Sequence, residues 1–178
     1  MHIILLAAVF VCACSASSSQ RLAPSSTSPL ENHAAASPRP AGGNDEDAVR
    51  LAVFRYLVGH NASGGQTGVP FVCLEVYQHD QAHDPSPFIM AAMRGSRPRA
   101  VPGSACESST SGVFLKGDHA KGRGLVFRTQ EVQIDGDKAT VTGGYYEGNL
   151  SASGNTYTVE RQPDGRWKVT GDQMQWIS

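Results

Sequence analysis

Apolar residues with helical spacing mark the start of the folded part of the chain. Leu51, Phe54 and Val58 are three and four residues apart, which is the spacing of one face of a helix. Asn44 or Asp45 can cap this helix, and its acidic first turn suits the positive end of the helix dipole. The Gly-His-Asn sequence after Val58 ends it. The pattern therefore predicts one amphipathic helix at the start of the domain.

Alternation with a period of two predicts strands in the rest of the chain. The segment Val69–Gln78 is rich in β-branched and aromatic residues, and its side chains at 72, 74 and 76 are predicted to face the core. The polar segment His79–Pro85 is predicted to be a loop. Ser86 then caps a short helix with Pro87 in its first turn, and the predicted buried face of this helix consists of Phe88, Ile89, Ala92 and Met93.

Longer alternating segments follow and predict an antiparallel sheet in the second half of the chain. A turn at Asp135–Asp137 separates two of them, and Gln162–Gly165 separates the last two. The Asp-Gly pair in this second turn is typical of hairpins. In the last segment, Met174 and Trp176 are two residues apart and are predicted to share a face.

The glycine-rich stretch Gly143–Gly154, with the sequence GGYYEGNLSASG, lies between two of these strands. Its glycines permit left-handed or bulged backbone, so the stretch is predicted to be a long hairpin loop. Tyr145, Tyr146 and Glu147 are a concentrated group of chemically capable side chains within it. If the domain has a ligand site of its own, these three residues are the predicted ligand-binding residues.

The order of elements indicates the fold class. A first helix, a short second helix and then a run of strands predict an α+β domain, with both helices packed on a curved antiparallel sheet. This order, with the local sequences YTVERQPDGRWKVT and GGYYEG, resembles the NTF2-like and cystatin-like folds of small bacterial lipoprotein domains. Such folds include enzymes, binding modules and assembly subunits, so the resemblance implies a fold without a function.

The N-terminus has the pattern of an export signal. The apolar run Ile3–Val11 is too short to span a bilayer and has the length of a signal-peptide core. The sequence Val-Cys-Ala-Cys at 11–14 resembles the lipobox of bacterial lipoproteins, which implies that Cys14 is lipidated and binds the lipid bilayer. We therefore expect a signal peptide at 1–13 and a lipid-anchored protein of the bacterial cell envelope. A plain secretory peptide and a secreted protein are the alternative.

The rest of the chain before the first helix is rich in Ser, Ala and Pro. Residues 14–44 cannot bury enough apolar surface to offset the entropy of ordering them, so they are predicted to be a disordered tether. Residues 45–178 then form the α+β domain.

Two cysteines lie within the predicted domain. A strand at 101–108 is predicted to carry Cys106 toward Cys73, and an exported protein meets an oxidising compartment, so we expect a disulfide between them. A zinc site is the weaker alternative, because neither cysteine belongs to a CxxC motif.

Histidines and acidic residues give only weak candidates for chemistry. His79 and His83 have the spacing of two zinc ligands on a helix, but the Asp-Pro pair that follows makes a solvated loop the better prediction. His60 at the end of the first helix and Glu147 could serve as general acid or base if the fold brings them together. No cofactor-binding motif is present in the sequence, and no cofactor is predicted.

The formal net charge of -1 and the lack of a basic stripe argue against nucleic acid as a partner. The leading hypothesis is a non-catalytic envelope lipoprotein that binds a small molecule or an envelope protein. One alternative is a pocket enzyme of the hydrolase or isomerase type. Another is an assembly subunit that forms a homodimer through the open face of its sheet.

Overall fold

The structure is a computed structural model that describes residues 44–63 and 68–178. The predicted signal peptide, Cys14 and the tether before Asn44 lie outside these residues. Within them the chain forms two α-helices and nine strands: α1 (Asp45–His60), β1 (Phe71–Gln78), β2 (Gln81–His83), α2 (Pro87–Ala92), β3 (Arg99–Pro102), β4 (Cys106–Ser109), β5 (Gly112–Leu115), β6 (Leu125–Asp135), β7 (Lys138–Gly148), β8 (Ser151–Arg161) and β9 (Trp167–Ile177).

Both helices begin at the predicted caps. The side chain of Asn44 accepts a hydrogen bond from the amide of Asp47 at 2.7 Å, and the hydroxyl of Ser86 accepts one from the amide of Ile89 at 3.4 Å. These bonds satisfy amides that the helix itself leaves without partners. No helix within the described residues is long and apolar enough to span a bilayer.

The main sheet is mixed and mostly antiparallel. Its strands follow the order β2-β1-β6-β7-β8-β9, with β3 also paired to β1. The α+β prediction is confirmed, but β1 pairs in parallel with both β6 and β3. Parallel pairing needs a long crossover, and the chain between β1 and β6 is long enough to provide it.

The segment predicted as a loop at His79–Pro85 instead contains a strand. His79 and Asp80 have φ values of 49° and 60°, and β2 follows directly, with Gln81 paired to Gln78. Two consecutive residues with positive φ form the type of turn whose twist matches a hairpin, and His and Asp tolerate this backbone better than most residues.

The prediction of a long loop at Gly143–Gly154 is also wrong. Strand β7 continues to Gly148 and β8 begins at Ser151, so only Asn149 and Leu150 form the turn. The glycines serve a different purpose here. Gly143, Gly144 and Gly154 lie inside paired strands, where neighbouring groups approach too closely for a side chain.

The sheet buries apolar residues on both of its faces. Under α1 lies the larger core, which includes Phe54, Leu74, Phe127 and Tyr157. On the opposite face the β4–β5 hairpin covers a smaller cluster, made by Phe71, Cys73, Val101, Cys106, Val113, Leu115 and Val126. The predicted disulfide between Cys73 and Cys106 lies in this cluster and fastens the hairpin to β1.

A buried arginine joins α1 to the sheet. Arg50 is 3% exposed, and its Nη1 donates to the hydroxyl of Thr129 at 3.1 Å and to the carbonyl of Gln130 at 2.7 Å. Its Nη2 donates to Glu46 Oε1 at 2.6 Å, so the carboxylate of Glu46 balances the positive charge of Arg50. The register of β6 against β7 shifts between Thr129 and Val132, so Arg50 holds the backbone where the regular ladder is interrupted.

Candidate functional site

A groove of about 580 Å³ crosses the sheet on the face turned away from α1. The pairing register places Arg128, Gly144, Gly154 and Trp176 in one row across β6, β7, β8 and β9. Side chains in one row share a face of a sheet, and three strand spacings separate the two ends of this row by about 14 Å. An arginine and a tryptophan therefore stand at opposite ends of a row whose middle has no side chains.

Neither central glycine has room for a side chain unless a neighbouring group moves. A Cβ added at Gly144 would collide with the carbonyl oxygen of Ser153, which belongs to the backbone of the neighbouring strand. A Cβ added at Gly154 would collide with the indole of Trp176. The floor of the groove at Gly144 is therefore backbone without a side chain, and the indole of Trp176 lies over Gly154.

Trp176 lies against Gly154 with the plane of its ring. A Cβ at Gly154 would be 2.5 Å from Cε2 and 2.9 Å from Cδ1, and would collide with Nε1. All three ring atoms are close to this Cβ position. This is expected when the face of the indole rests on the backbone, because an N–H directed at the backbone would bring Nε1 close and leave the two carbons farther away. Trp176 is nevertheless 55% exposed. One surface of the indole is thus supported by β8 while the other is open to solvent.

A β-bulge puts Trp176 on this face. Gly154 pairs with Trp176 whereas Asn155 pairs with Met174, so Gln175 is an extra residue in β9. Because Gly154 and Asn155 point to opposite faces, Met174 and Trp176 do so too. The prediction that these two side chains share a face is wrong for this reason.

Arg128 forms the opposite wall and is already engaged. Its Nη2 donates to Glu75 Oε2 at 2.7 Å, and its Nε donates to the same oxygen at 3.1 Å. Its guanidinium also lies 4.6 Å from the centre of the Tyr77 ring, where a cation–π contact is favourable. The wall is therefore rigid, and its positive charge is compensated.

The three predicted ligand-binding residues have different surroundings. The side chain of Tyr146 packs in the cluster under the β4–β5 hairpin, and its hydroxyl donates to the carbonyl of Ser109 at 3.0 Å at the edge of the groove. Tyr145 belongs to the core on the α1 face and is only 4% exposed. Glu147 accepts a hydrogen bond from Ser151 at 2.7 Å beside the β7–β8 turn.

His60 lies far from Glu147. Its ring stacks on Tyr56, with 4.3 Å between ring centres, and Tyr56 in turn contacts Tyr157 edge to face. Tyr157 pairs with Val141, which is six residues before Glu147 along β7 and therefore about 20 Å away from it. The structure does not bring these two predicted acid–base residues together.

The tyrosines beside His60 form a polar cluster with Asp172. Burial raises the pKa of Tyr56, and the negative charge of Asp172 and a hydrogen bond to it raise that pKa further. Burial also raises the pKa of Tyr157, with Asp172 as the second cause. Asp172 accepts a further hydrogen bond from Asn155 at 2.6 Å. Both tyrosines are thereby kept protonated.

The histidines considered as metal ligands lie in the β1–β2 hairpin. His79 belongs to its turn and His83 to β2, which is exposed along its length. The neighbouring Asp84 accepts hydrogen bonds from the amide and hydroxyl of Ser104 at 2.7 and 2.6 Å. In the part of the chain that the structure describes, no three His, Cys, Asp or Glu side chains are grouped so that they could hold a metal ion.

Comparison with known proteins gives little beyond this geometry. No protein-family model and no curated protein matches the chain. Among solved structures, it is similar to a candidate ketosteroid isomerase from Shewanella frigidimarina NCIMB 400, at 18% identity and a TM-score of 0.29. The similarity covers 74% of this chain and 96% of the other. So distant a match carries no information about activity.

Sequence reasoning finds the middle of the groove but not its walls: Tyr145, Tyr146 and other residues of the stretch Gly143–Gly154 line it, whereas Glu147 does not. The sequence pattern predicts that Trp176 shares a face with Met174, and Arg128 is one of many polar residues in an alternating strand. The available signal was the pair Gly144 and Gly154, because an isolated glycine inside a strand pattern often marks a close approach of another group.

Proposed function

We propose that this chain is a binding protein of the bacterial cell envelope, held at the membrane by a lipid on Cys14, and that the groove on β6–β9 is its ligand site. The observation that carries the proposal is the supported, open indole of Trp176 above the bare row of Gly144 and Gly154. A large exposed aromatic side chain at the edge of a concave surface is typical of a binding site. The anchor follows from the lipobox-like sequence at the N-terminus.

The composition of the groove favours binding over catalysis. Its lining contains no histidine or cysteine. Of its charged residues, Arg128 is paired with Glu75, and Glu131 is a carboxylate on the exposed rim. General acid–base catalysis needs proton-transfer groups placed together at the reacting atoms, and a groove of this composition supplies stacking and hydrogen bonds instead.

Photo-crosslinking in cells tests the ligand site without assuming a ligand. A photoreactive phenylalanine analogue replaces Gln175, which lines the groove, and in a matched variant it replaces Met174, which is adjacent in sequence but on the other face of β9. We expect an adduct at position 175 that is absent at position 174. Equal labelling at the two positions, or none at 175, would contradict the proposal.

A second candidate function rests on the Tyr56–Asp172 cluster. The Tyr56 hydroxyl lies beside the carboxylate of Asp172, and Tyr157 contacts the Tyr56 ring edge to face. A carboxylate can take a proton from a substrate as a general base, and Asp172 is the candidate for that role. This supports a pocket enzyme of the isomerase or hydrolase type. The test is proton exchange from enolisable ketones in D₂O and turnover of chromogenic esters, compared between the wild type and the Asp172→Asn variant. Background rates in the wild type would exclude the enzyme function for these substrates.

A further inference from the structure

We infer that the groove takes a neutral oligosaccharide, with one pyranose ring stacked on the open surface of Trp176. This inference rests on the proposed function and adds the chemical class of the ligand.

The indole of Trp176 suits the flat surface of a sugar ring. The face of an aromatic ring is electron-rich, so it attracts C–H groups that carry partial positive charge. A pyranose presents several such C–H groups on one of its faces. Because the backbone at Gly154 supports the ring from below, the indole does not need to be ordered on binding, and the entropy cost of association is smaller.

Polar side chains line the rest of the groove. The side chains of Gln130 and Glu131 line the groove and make no hydrogen bond or ion pair within the described residues. Gln175 adds an amide, which donates to the carbonyl of Gln173 at 3.3 Å, and Thr142 adds a hydroxyl, which accepts from the amide of Glu131 at 3.2 Å. Amides, carboxylates and hydroxyls can bind the hydroxyl groups of a sugar as donors, acceptors or both. The groove thus combines one apolar platform with a polar edge, which matches the two sides of a sugar.

The charges and dimensions of the groove favour a neutral, extended ligand. Arg128 is neutralised by Glu75, and the free carboxylate of Glu131 would repel an anion. From the indole over Gly154 to Arg128 the row spans two strand spacings, or about 10 Å, which exceeds a single sugar ring. A volume of about 580 Å³ falls within the range of small-molecule sites.

An extended peptide fits the geometry less well. It would pair its backbone along the free edge of β9, where the exposed Ile177 and Met174 also lie, and would not follow a row that crosses four strands. A second copy of the chain could use the same edge. Both alternatives are separate outcomes of the test.

The test is calorimetric titration of the purified chain with neutral tetrasaccharides of N-acetylglucosamine, of β-linked glucose and of α-linked glucose. We expect at least one to bind. Trp176→Ala should weaken that binding roughly tenfold or more, because an aromatic contact is lost, and Trp176→Phe should restore part of it. Met174→Ala, on the other face of the same strand, should leave the affinity unchanged.

The outcomes separate this inference from the proposed function. Failure of all three sugars, with a specific adduct at position 175, would overturn the oligosaccharide and keep the groove as a site for another ligand. Failure of both experiments would overturn both statements. Sugar binding that Trp176→Ala does not change would also overturn the inference. A dimer that Trp176→Ala dissociates, measured by light scattering with no sugar binding, would assign the exposed edge to a second copy.

Discussion

Trp176 rests on Gly154 in the neighbouring strand, and the extra residue Gln175 in β9 is what turns the indole onto that face. The contact between Trp176 and Gly154 depends on the backbone, on a side-chain direction and on a missing Cβ. A bulge sets the direction of one side chain, a missing Cβ gives it a place to lie, and the result is an aromatic surface that is both fixed and exposed.

Gly154→Ala should lift the indole from the sheet. The new Cβ would collide with Nε1 of Trp176, and the ring can move because it lies near the exposed end of β9. In a Trp167→Phe background, where Trp176 is the single tryptophan, we expect stronger quenching of its fluorescence by acrylamide. Gly59→Ala is the control, because a Cβ there has no neighbour within 4 Å. Unchanged quenching in Gly154→Ala would mean that the ring does not rest on β8.

Loss of the disulfide should destabilise the domain as a whole. Cys73 and Cys106 are separated by 33 residues, and closing a loop of that size restricts the unfolded chain by about 3–4 kcal/mol. The double variant Cys73→Ala, Cys106→Ala should lose that amount in guanidinium unfolding. Reduction should bring the wild type to the level of the variant and leave the variant unchanged. A wild type insensitive to reductant would argue against the bond.

Arg50→Met should lower the free energy of unfolding by about 2–4 kcal/mol. The substitution keeps an apolar stem but leaves the hydroxyl of Thr129 and the carbonyl of Gln130 without their donor. Arg55→Met on the same helix is the control, since Arg55 is exposed and makes one long bond of 3.3 Å to Ala92. The control should change stability by roughly 0.5 kcal/mol or less. If Arg50→Met and Arg55→Met lower the free energy of unfolding by similar amounts, the hydrogen bonds of Arg50 do not stabilise the bulge.

Stability should fall in alkaline solution because of Tyr157. Its pKa is raised in the folded state by burial and by Asp172, so folding favours the protonated form. The contribution is complete below the ordinary tyrosine pKa of roughly 10. Above it the unfolded chain loses a proton that the folded chain keeps, and stability declines. Urea midpoints between pH 9 and about pH 11 should therefore drop less steeply in Tyr157→Phe than in the wild type. An equal slope in both proteins would refute this assignment.

Cys14→Ala should move the protein out of the membrane fraction, because we propose that this cysteine carries the lipid. The measurement is incorporation of an alkyne-labelled fatty acid together with membrane fractionation. Cys12→Ala is the matched control two residues earlier and should retain the label. If Cys14→Ala stays labelled and membrane-bound, the anchor is elsewhere or absent.

Elements with local signals were predictable from the sequence. Asn44 and Ser86 cap their helices through bonds to amides three residues away, and the turn at Gln162–Gly165 closes a hairpin with its own backbone bonds. Each depends on residues adjacent in the chain. The parallel pairing of β1 with β6 depends on residues about 50 positions apart, as in Cys73 with Val126, and no local pattern reports it.

The groove was less predictable because it depends on register. One extra residue at Gln175 reverses the face of Trp176, and a period-two reading of β9 cannot show such a bulge. The sequence marks the stretch Gly143–Gly154 as unusual, but the long loop that its glycines predict is wrong. Its glycines reflect crowding between strands, which only the paired partner reveals.

The bare floor at Gly144 and Gly154 divides the groove into a fixed part and an adjustable part. At Gly144 the floor is packed against the backbone of Ser153 and tolerates no side chain, so mutation there can scarcely alter it without disturbing the sheet. The walls at Thr142, Gln175 and Trp176 are partly or fully exposed side chains that can be exchanged one by one. Relatives with this sheet could therefore diverge in ligand preference over a common frame, and a designer could retune selectivity from the rim alone.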